Sequence, residues 1–183
     1  MRKIGAHRSG YTREMTRQRA RDKVVTTTQL VPALERARAA KARIVLTNGC
    51  FDVLHLGHVR YLEQAATLGD LLVVGVNGDH SVRLLKGAGR PLVPEQERAE
   101  VLAALAVVDY VVIFSEPTAE SLVRLVRPDI YVKGGDYQVN SIPEARLARE
   151  LGAEVRVVDL QPGRSTSALV QAIRARSKSA GGE

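Results

Sequence analysis

Apolar residues along this chain fall into short blocks separated by amphipathic stretches, and the two patterns alternate. Runs rich in Val, Ile and Leu stand at 43–47 (RIVLT), 70–76 (DLLVVGV), 109–114 (DYVVIF), 129–133 (DIYVK) and 154–158 (EVRVV). Their length and continuous apolar character predict strands buried on both sides, as in a parallel sheet. Between them, helical spacing of apolar positions predicts helices over about 58–68, 94–106, 118–126 and 143–151, with a last one over 166–177. A first helix is predicted over about 28–41, capped by Thr28, with Pro32 in its first turn and Leu30, Val31, Leu34 and Ala37 on its apolar side.

A strand followed by a helix, repeated along the chain, predicts an α/β fold. The expected form is a single Rossmann-like domain, an open five-stranded parallel sheet with helices on both faces, because parallel strands need crossover helices of one hand. Ligands of such sheets lie beyond the carboxyl ends of the strands, near the switch in strand order. The residues that follow each strand are therefore the first candidates for chemistry.

Composition narrows the class. The chain has 183 residues, 45% hydrophobic and 26% charged, enough to bury a core of about one domain without a metal or a disulfide. Its single cysteine, Cys50, excludes an internal disulfide and points to a reducing, cytoplasmic setting. No run of 18 apolar residues occurs, so no membrane span is expected, and the N-terminus lacks the apolar core of a secretory signal.

The formal net charge of +7 raises the question of nucleic acid, and its distribution answers it. Residues 1–23 hold Arg2, Lys3, Arg8, Arg13, Arg17, Arg19, Arg21 and Lys23 against Glu14 and Asp22, a net +6. Arg174, Arg176 and Lys178 against Glu183 give the last ten residues +2, which leaves 24–173 at −1. The chain then reads as a basic, flexible extension over 1–23, a functional domain over 24–176 and a flexible tail over 177–183. The extension carries no aromatic stacking pattern and no groove-reading motif, so nucleic acid is not the expected partner.

Four clusters remain in the body. After the first strand come Asn48, Gly49, Cys50, Phe51, Asp52, Val53, Leu54, His55, Leu56, Gly57 and His58, leading into a helix. Two imidazoles astride a strand-to-helix turn can donate to a phosphoryl group as its charge develops, and the helix start offers free N–H groups to an anion. Gly57 permits close approach of backbone to ligand. A zinc site of Cys50, His55 and His58 is set aside, because the spacing matches no common site and a fourth ligand is missing.

The second cluster holds Asn77 and Asp79, then Lys86, Arg90 and Arg98 around a Gly-Ala-Gly link, cations that could close over phosphates or simply be solvated. The third is Lys133-Gly134-Gly135-Asp136-Tyr137 at the end of the fourth strand. The fourth is Gly163-Arg164-Ser165-Thr166-Ser167 at the last helix start, which can cap that helix and bind phosphate with the same groups. Neither a G-x-x-x-x-G-K-[ST] loop nor a well-placed G-x-G-x-x-G is present.

Taken together, TNGCFDVLHLGHVRYLEQAATLGD, VNGD, LKGAGRP, VKGGDY and GRSTS, in this order, resemble the nucleotidyltransferases of the HxGH type, most of all the heptose 1-phosphate adenylyltransferases of ADP-heptose synthesis. The resemblance covers about residues 28–176. It implies that a sugar-phosphate oxygen attacks the α-phosphorus of ATP with Mg²⁺ assisting and pyrophosphate leaving, and that no protein side chain ligates the metal directly. It further implies that His55 and His58 stabilise the transition state and that Lys86 acts on the phosphates. Asn48, Gly49, Phe51 and Asp52 would line the nucleotide cleft, and Ser165 and Thr166 would hold the β and γ groups. Asn77, Asp79, Lys133 and Asp136 would lie around the nucleotide or sugar phosphate, with Arg90 and Arg98 as weaker phosphate contacts.

The family also implies a homodimer. Its bifunctional members carry an N-terminal sugar kinase, so the chain resembles a stand-alone form, with phosphorylation left to another protein. Cys50 stands where many relatives have Val or Thr, and in-line transfer needs no nucleophilic thiol. A cytidylyltransferase of glycerol phosphate remains an alternative within the same fold, and a nucleic-acid-binding protein using its basic arm an alternative from another class.

Overall fold

The structure is a computed structural model that describes residues 19–135, 141–158 and 166–180. Five strands, β1 (Ile44–Gly49), β2 (Leu71–Asn77), β3 (Tyr110–Phe114), β4 (Ile130–Gly134) and β5 (Glu154–Val158), form one sheet in the order β3-β2-β1-β4-β5. All four pairings are parallel. The fold class expected from the sequence is the one observed.

Alternation along the strands sorts side chains into two layers. Ile44, Leu46, Leu71, Val73, Val112 and Tyr131 face one core, whereas Val45, Leu72, Val74, Val76, Val111 and Val132 face the other. Helices α2 (Thr27–Ala39), α6 (Glu120–Val126) and α7 (Ala145–Glu150) cover the first layer through Leu30, Leu34, Leu122, Val123, Val126 and Ala148. Helices α3 (Leu56–Ala66) and α5 (Glu95–Ala103) cover the second through Tyr61, Leu62, Ala65, Ala99 and Leu102. The last helix, α8 (Thr166–Ala180), begins beside the β1–α3 turn, where Thr166 Oγ1 donates to the Val53 carbonyl at 3.3 Å. No helix among the described residues is long and apolar enough to cross a membrane.

Differences from the predicted elements have local causes. The cap of α2 is Thr26 rather than Thr28: its hydroxyl accepts from Gln29 N at 3.2 Å while Gln29 Oε1 accepts from Thr26 N at 2.9 Å, a reciprocal capping box. Pro32 consequently lies beyond the first turn. Three strands predicted to open on Asp70, Asp109 and Asp129 open one residue later. Each aspartate instead accepts a backbone N–H of the neighbouring strand segment, from Arg43, Leu72 and Ile44, at 2.7–2.8 Å.

Two helices were not anticipated. Residues Asp79–Lys86, read as part of a flexible cationic loop, form α4. Ala20–Lys23, placed in the flexible extension, form a short helix, α1, packed on α5. Lys23 Nζ donates to the carbonyls of Leu105 and Val108, and Val24 bridges to Val111 at the outer edge of β3. The folded body therefore starts inside the expected extension, and most of that basic segment, 1–18, lies outside the described residues.

Candidate active site

The strand order reverses direction between β1 and β4, so their carboxyl ends splay apart and open a crevice. A cleft of about 790 Å³ lies there, within the range of small-molecule sites. It is bordered by Asn48 and Gly49 from the end of β1, His55 and His58 from the start of α3, Asn77 from the end of β2, Lys86 from the end of α4, Lys133 from β4 and Thr166 from α8. Imidazole pair and hydroxyl-bearing helix start thus face the same space.

The imidazoles stack, ring centroids 3.9 Å apart and 21° between planes, with the Phe51 ring edge-on to His58 at 5.2 Å. The backbone directs this arrangement. Phe51 adopts a left-handed conformation (φ 46°), folding the chain back so that His55 becomes the N-cap residue of α3. The His55 carbonyl accepts from His58 N at 2.9 Å and Val59 N at 3.3 Å, which winds the first turn and brings the two rings together. Burial, with the His55 charge as a smaller cause, pulls the His58 pKa down to about 4. His58 is therefore neutral at pH 7, and its imidazole can donate one N–H.

Two ionic groups stand at the far side, Asp52 with Arg90 on the wall and Arg98 with Asp79 behind it. Asp52 Oδ1 accepts from Leu92 N at 2.7 Å and Val93 N at 3.0 Å, and its Oδ2 meets Arg90 Nε at 2.6 Å. Arg98, whose side chain is wholly buried, donates Nε to Val93 O at 2.9 Å, one terminal nitrogen to Cys50 O, and the other to Asp79 Oδ1 at 2.7 Å. These contacts hold the segment after α4 against the turn after β1. Between them the chain passes through Gly87, at φ 95°, and an exposed Gly-Ala-Gly link that follows Lys86.

On the opposite side, Lys133 Nζ donates to Asn48 Oδ1 at 2.8 Å and lies 3.8 Å from Glu144 Oε2. Tyr131 OH donates to the same Asn48 oxygen at 2.5 Å. Glu144 is buried, and its Oε1 accepts from Ala119 N at 2.9 Å ahead of α6. Burial pulls the Lys133 pKa down, while Glu144 and Cys50 push it back up. Burial likewise pushes the Cys50 thiol up, opposed by Lys86 and Arg98, so it is not activated as a nucleophile.

Of the residues expected at the site, His55, His58, Lys86, Asn48, Gly49, Phe51, Asp52, Asn77, Lys133, Thr166 and Arg90 border the cleft. Three expectations are corrected. Arg98 is buried and pairs with the partly exposed Asp79, and neither borders the cleft, because a buried guanidinium needs a carboxylate and carbonyl partners. Gly57 is buried within the first turn of α3 rather than on the cleft surface. Asp52 borders the cleft as expected, with both its oxygens engaged by the protein. Asp136 and Ser165 lie outside the described residues. Among residues that pattern reading passed over, Glu144, Tyr61 and Thr118 also border the cleft. No motif marks Glu144 or Thr118, and Tyr61, though inside the stretch TNGCFDVLHLGHVRYLEQAATLGD, reads there only as part of an amphipathic helix.

Comparison with known proteins extends this picture. A family model described as cytidylyltransferase-like matches residues 46–175. The bifunctional protein HldE of Pseudomonas paraeruginosa is 55% identical over 146 residues, covering 80% of this chain and 31% of that protein. Its counterpart in Syntrophotalea carbinolica is 51% identical over 140 residues, 76% of this chain and 29% of that protein. The chain thus spans about a third of the length of the curated relatives it matches.

Among solved structures, a lipopolysaccharide core biosynthesis protein from Thermoplasma volcanium is 35% identical with a TM-score of 0.54, covering 66% of this chain and 97% of that one. Pantoate-beta-alanine ligase from Francisella tularensis, in complex with beta-gamma ATP and beta-alanine, shares the fold with a TM-score of 0.58, over 79% of this chain and 68% of that one. At 16% identity, that likeness concerns the fold alone.

Proposed function

From the premise that this chain belongs to the cytidylyltransferase-like family, we propose that it is a nucleotidyltransferase that moves AMP from ATP to heptose 1-phosphate, giving ADP-heptose and pyrophosphate. What supports this reading most is that the stacked His55–His58 pair and the start of α8 at Thr166 border one cleft. The reading places the enzyme in the cytoplasm and, after the family it resembles, as a homodimer.

The reaction brings two anions together. A triphosphate carries roughly four negative charges and a sugar phosphate up to two, the second ionisation lying near neutrality. Their repulsion must be offset before any bond changes. A sugar-phosphate oxygen attacks the α-phosphorus in line, a new O–P bond forms, and the bond to the β-phosphate oxygen breaks, sending its electron pair into pyrophosphate. The imidazoles of His55 and His58 donate N–H to the α-phosphoryl oxygens as charge accumulates, and the N-terminus of α8 receives the departing phosphates. Lys86, at the exposed end of α4 beside the Gly87 link, closes over them.

Mg²⁺ supplies charge neutralisation on the triphosphate when bound. The carboxylates of Asp52 and Glu144 that border the cleft are engaged within the protein, so the metal fits as an ion carried by the phosphates.

Purified protein is incubated with Mg²⁺ and either ATP plus heptose 1-phosphate or CTP plus glycerol phosphate, and pyrophosphate release is followed. Release with the first pair is expected; preference for the second overturns the assignment. Within the same assay His58→Ala is expected to lower turnover by about 10²–10³-fold with the fold intact, the usual cost of one donor aimed at developing charge. Near-normal turnover removes the imidazole from the mechanism.

A further inference from the structure

At the switch point between β1 and β4, one amide is gripped from two sides. Asn48 is the residue before the end of β1 and pairs in register with Gly75 on β2. Its Oδ1 accepts from Lys133 Nζ at 2.8 Å and from Tyr131 OH at 2.5 Å. An ammonium has donors only, so Lys133 decides which end of the amide it faces: the oxygen. The amide nitrogen must point elsewhere, and it finds no acceptor among the described residues, although Asn48 borders the cleft. Lys133 in turn is held by its approach to Glu144, itself fixed by the Ala119 N–H.

We infer that Asn48 is a direct ligand of a phosphoryl oxygen, its amide locked by Lys133 and Tyr131 so that only the –NH₂ is presented to the cleft. The inference rests on the proposed nucleotidyl transfer for its setting and adds a residue role to it. An NH₂ group offers donors and no acceptor, so it discriminates for a group that only accepts, as phosphoryl oxygens do. A free amide could turn either end to a ligand; this one cannot without leaving the Lys133 ammonium facing a second donor. Tyr131 does not border the cleft and is a positioning residue, acting on ligands only through Asn48.

Asn48→Asp separates the two faces of the amide. The substitution is nearly isosteric and keeps an oxygen for Lys133 and Tyr131, while the cleft-facing donor becomes an acceptor. Wild type and variant are each titrated calorimetrically with ATP and Mg²⁺, and separately with heptose 1-phosphate, with thermal melts as the check on folding. At least a tenfold weakening of one titration is expected; which of the two weakens tells whether the oxygen belongs to the triphosphate or to the sugar phosphate. Both affinities within twofold of wild type overturn the inference.

Should Asn48→Asp fail to fold, Tyr131→Phe takes its place. A threefold or larger rise in KM for one substrate with kcat held is expected, or the same weakening by titration, whereas unchanged affinities with a lowered melting temperature would reduce Tyr131 to a structural role and overturn the inference. Absence of pyrophosphate release from the wild type would instead sink the functional reading, leaving the titrations to decide on Asn48.

Discussion

The histidine pair shows how a single residue can join stability to chemistry. His58 has a folded pKa of about 4 against an ordinary value of 6.5, so between these the unfolded chain binds the proton and the folded one does not. Folding stability is then fully present above about pH 6.5 and falls as pH drops toward 4. The melting temperature is expected to decline across that window, and His58→Gln is expected to flatten the decline; a slope unchanged by the substitution would place its origin in other groups. Lys133 is shifted in the same direction, with a carboxylate to oppose the shift. Burial lowers its pKa and Glu144 restores part of it, so Glu144→Gln is expected to shift the alkaline limb of kcat/KM to lower pH, read from a pH profile of pyrophosphate release. The two imidazoles were legible in the sequence because their spacing across a strand-to-helix turn is itself the signal. Glu144 was not, because its partners Lys133 and Ala119 are distant in the chain and only the fold brings them together.

Elements were legible where one principle governed them and missed where tertiary contacts decided. Strands β1 to β5 announced themselves by apolar runs, but Asp70, Asp109 and Asp129 at their starts serve the neighbouring segment rather than their own strand. Each peg fixes register at one end, and Asp109→Ala is expected to cost about 1.5–3 kcal/mol, the range for a hydrogen bond to a charged group, measured by chemical denaturation. Helix α4 was hidden because its cations drew the reading toward a solvated loop, whereas Val82 and Ser81 bury its inner side. Arg98 was likewise read as a weaker phosphate contact, since nothing in sequence tells a buried guanidinium from an exposed one. Replacing it by Leu would strand Asp79 and two carbonyls, and a loss of about 1–3 kcal/mol is expected by the same denaturation. At Gly75 any side chain would press on Leu122 Cδ2 at 2.5 Å and Asn48 Cβ at 3.1 Å, so Gly75→Ala is expected to disturb the cleft from beneath and cost about 1–3 kcal/mol.

For the molecule as a whole, the class of fold and the position of the cleft followed from alternating strands and helices, because the switch in strand order is a property of the winding rather than of any side chain. The boundary of the body did not follow, since charge and low periodicity continue past residue 18 into α1. The short α1 segment does more than extend the body. Directly after it, Val24 bridges to Val111 and Val25 N–H donates to Val111 O at 2.9 Å, on the outer border of Tyr110–Phe114, a sequence of five apolar and aromatic residues with a ladder of its own to offer. A chain beginning at Ala20 keeps that border occupied; one beginning at Thr26 leaves it bare, and open strand borders of this character recruit other chains. Light scattering on the two would then distinguish a well-behaved particle from a self-associating one, which makes this modest N-terminal turn a guard on the protein's solubility.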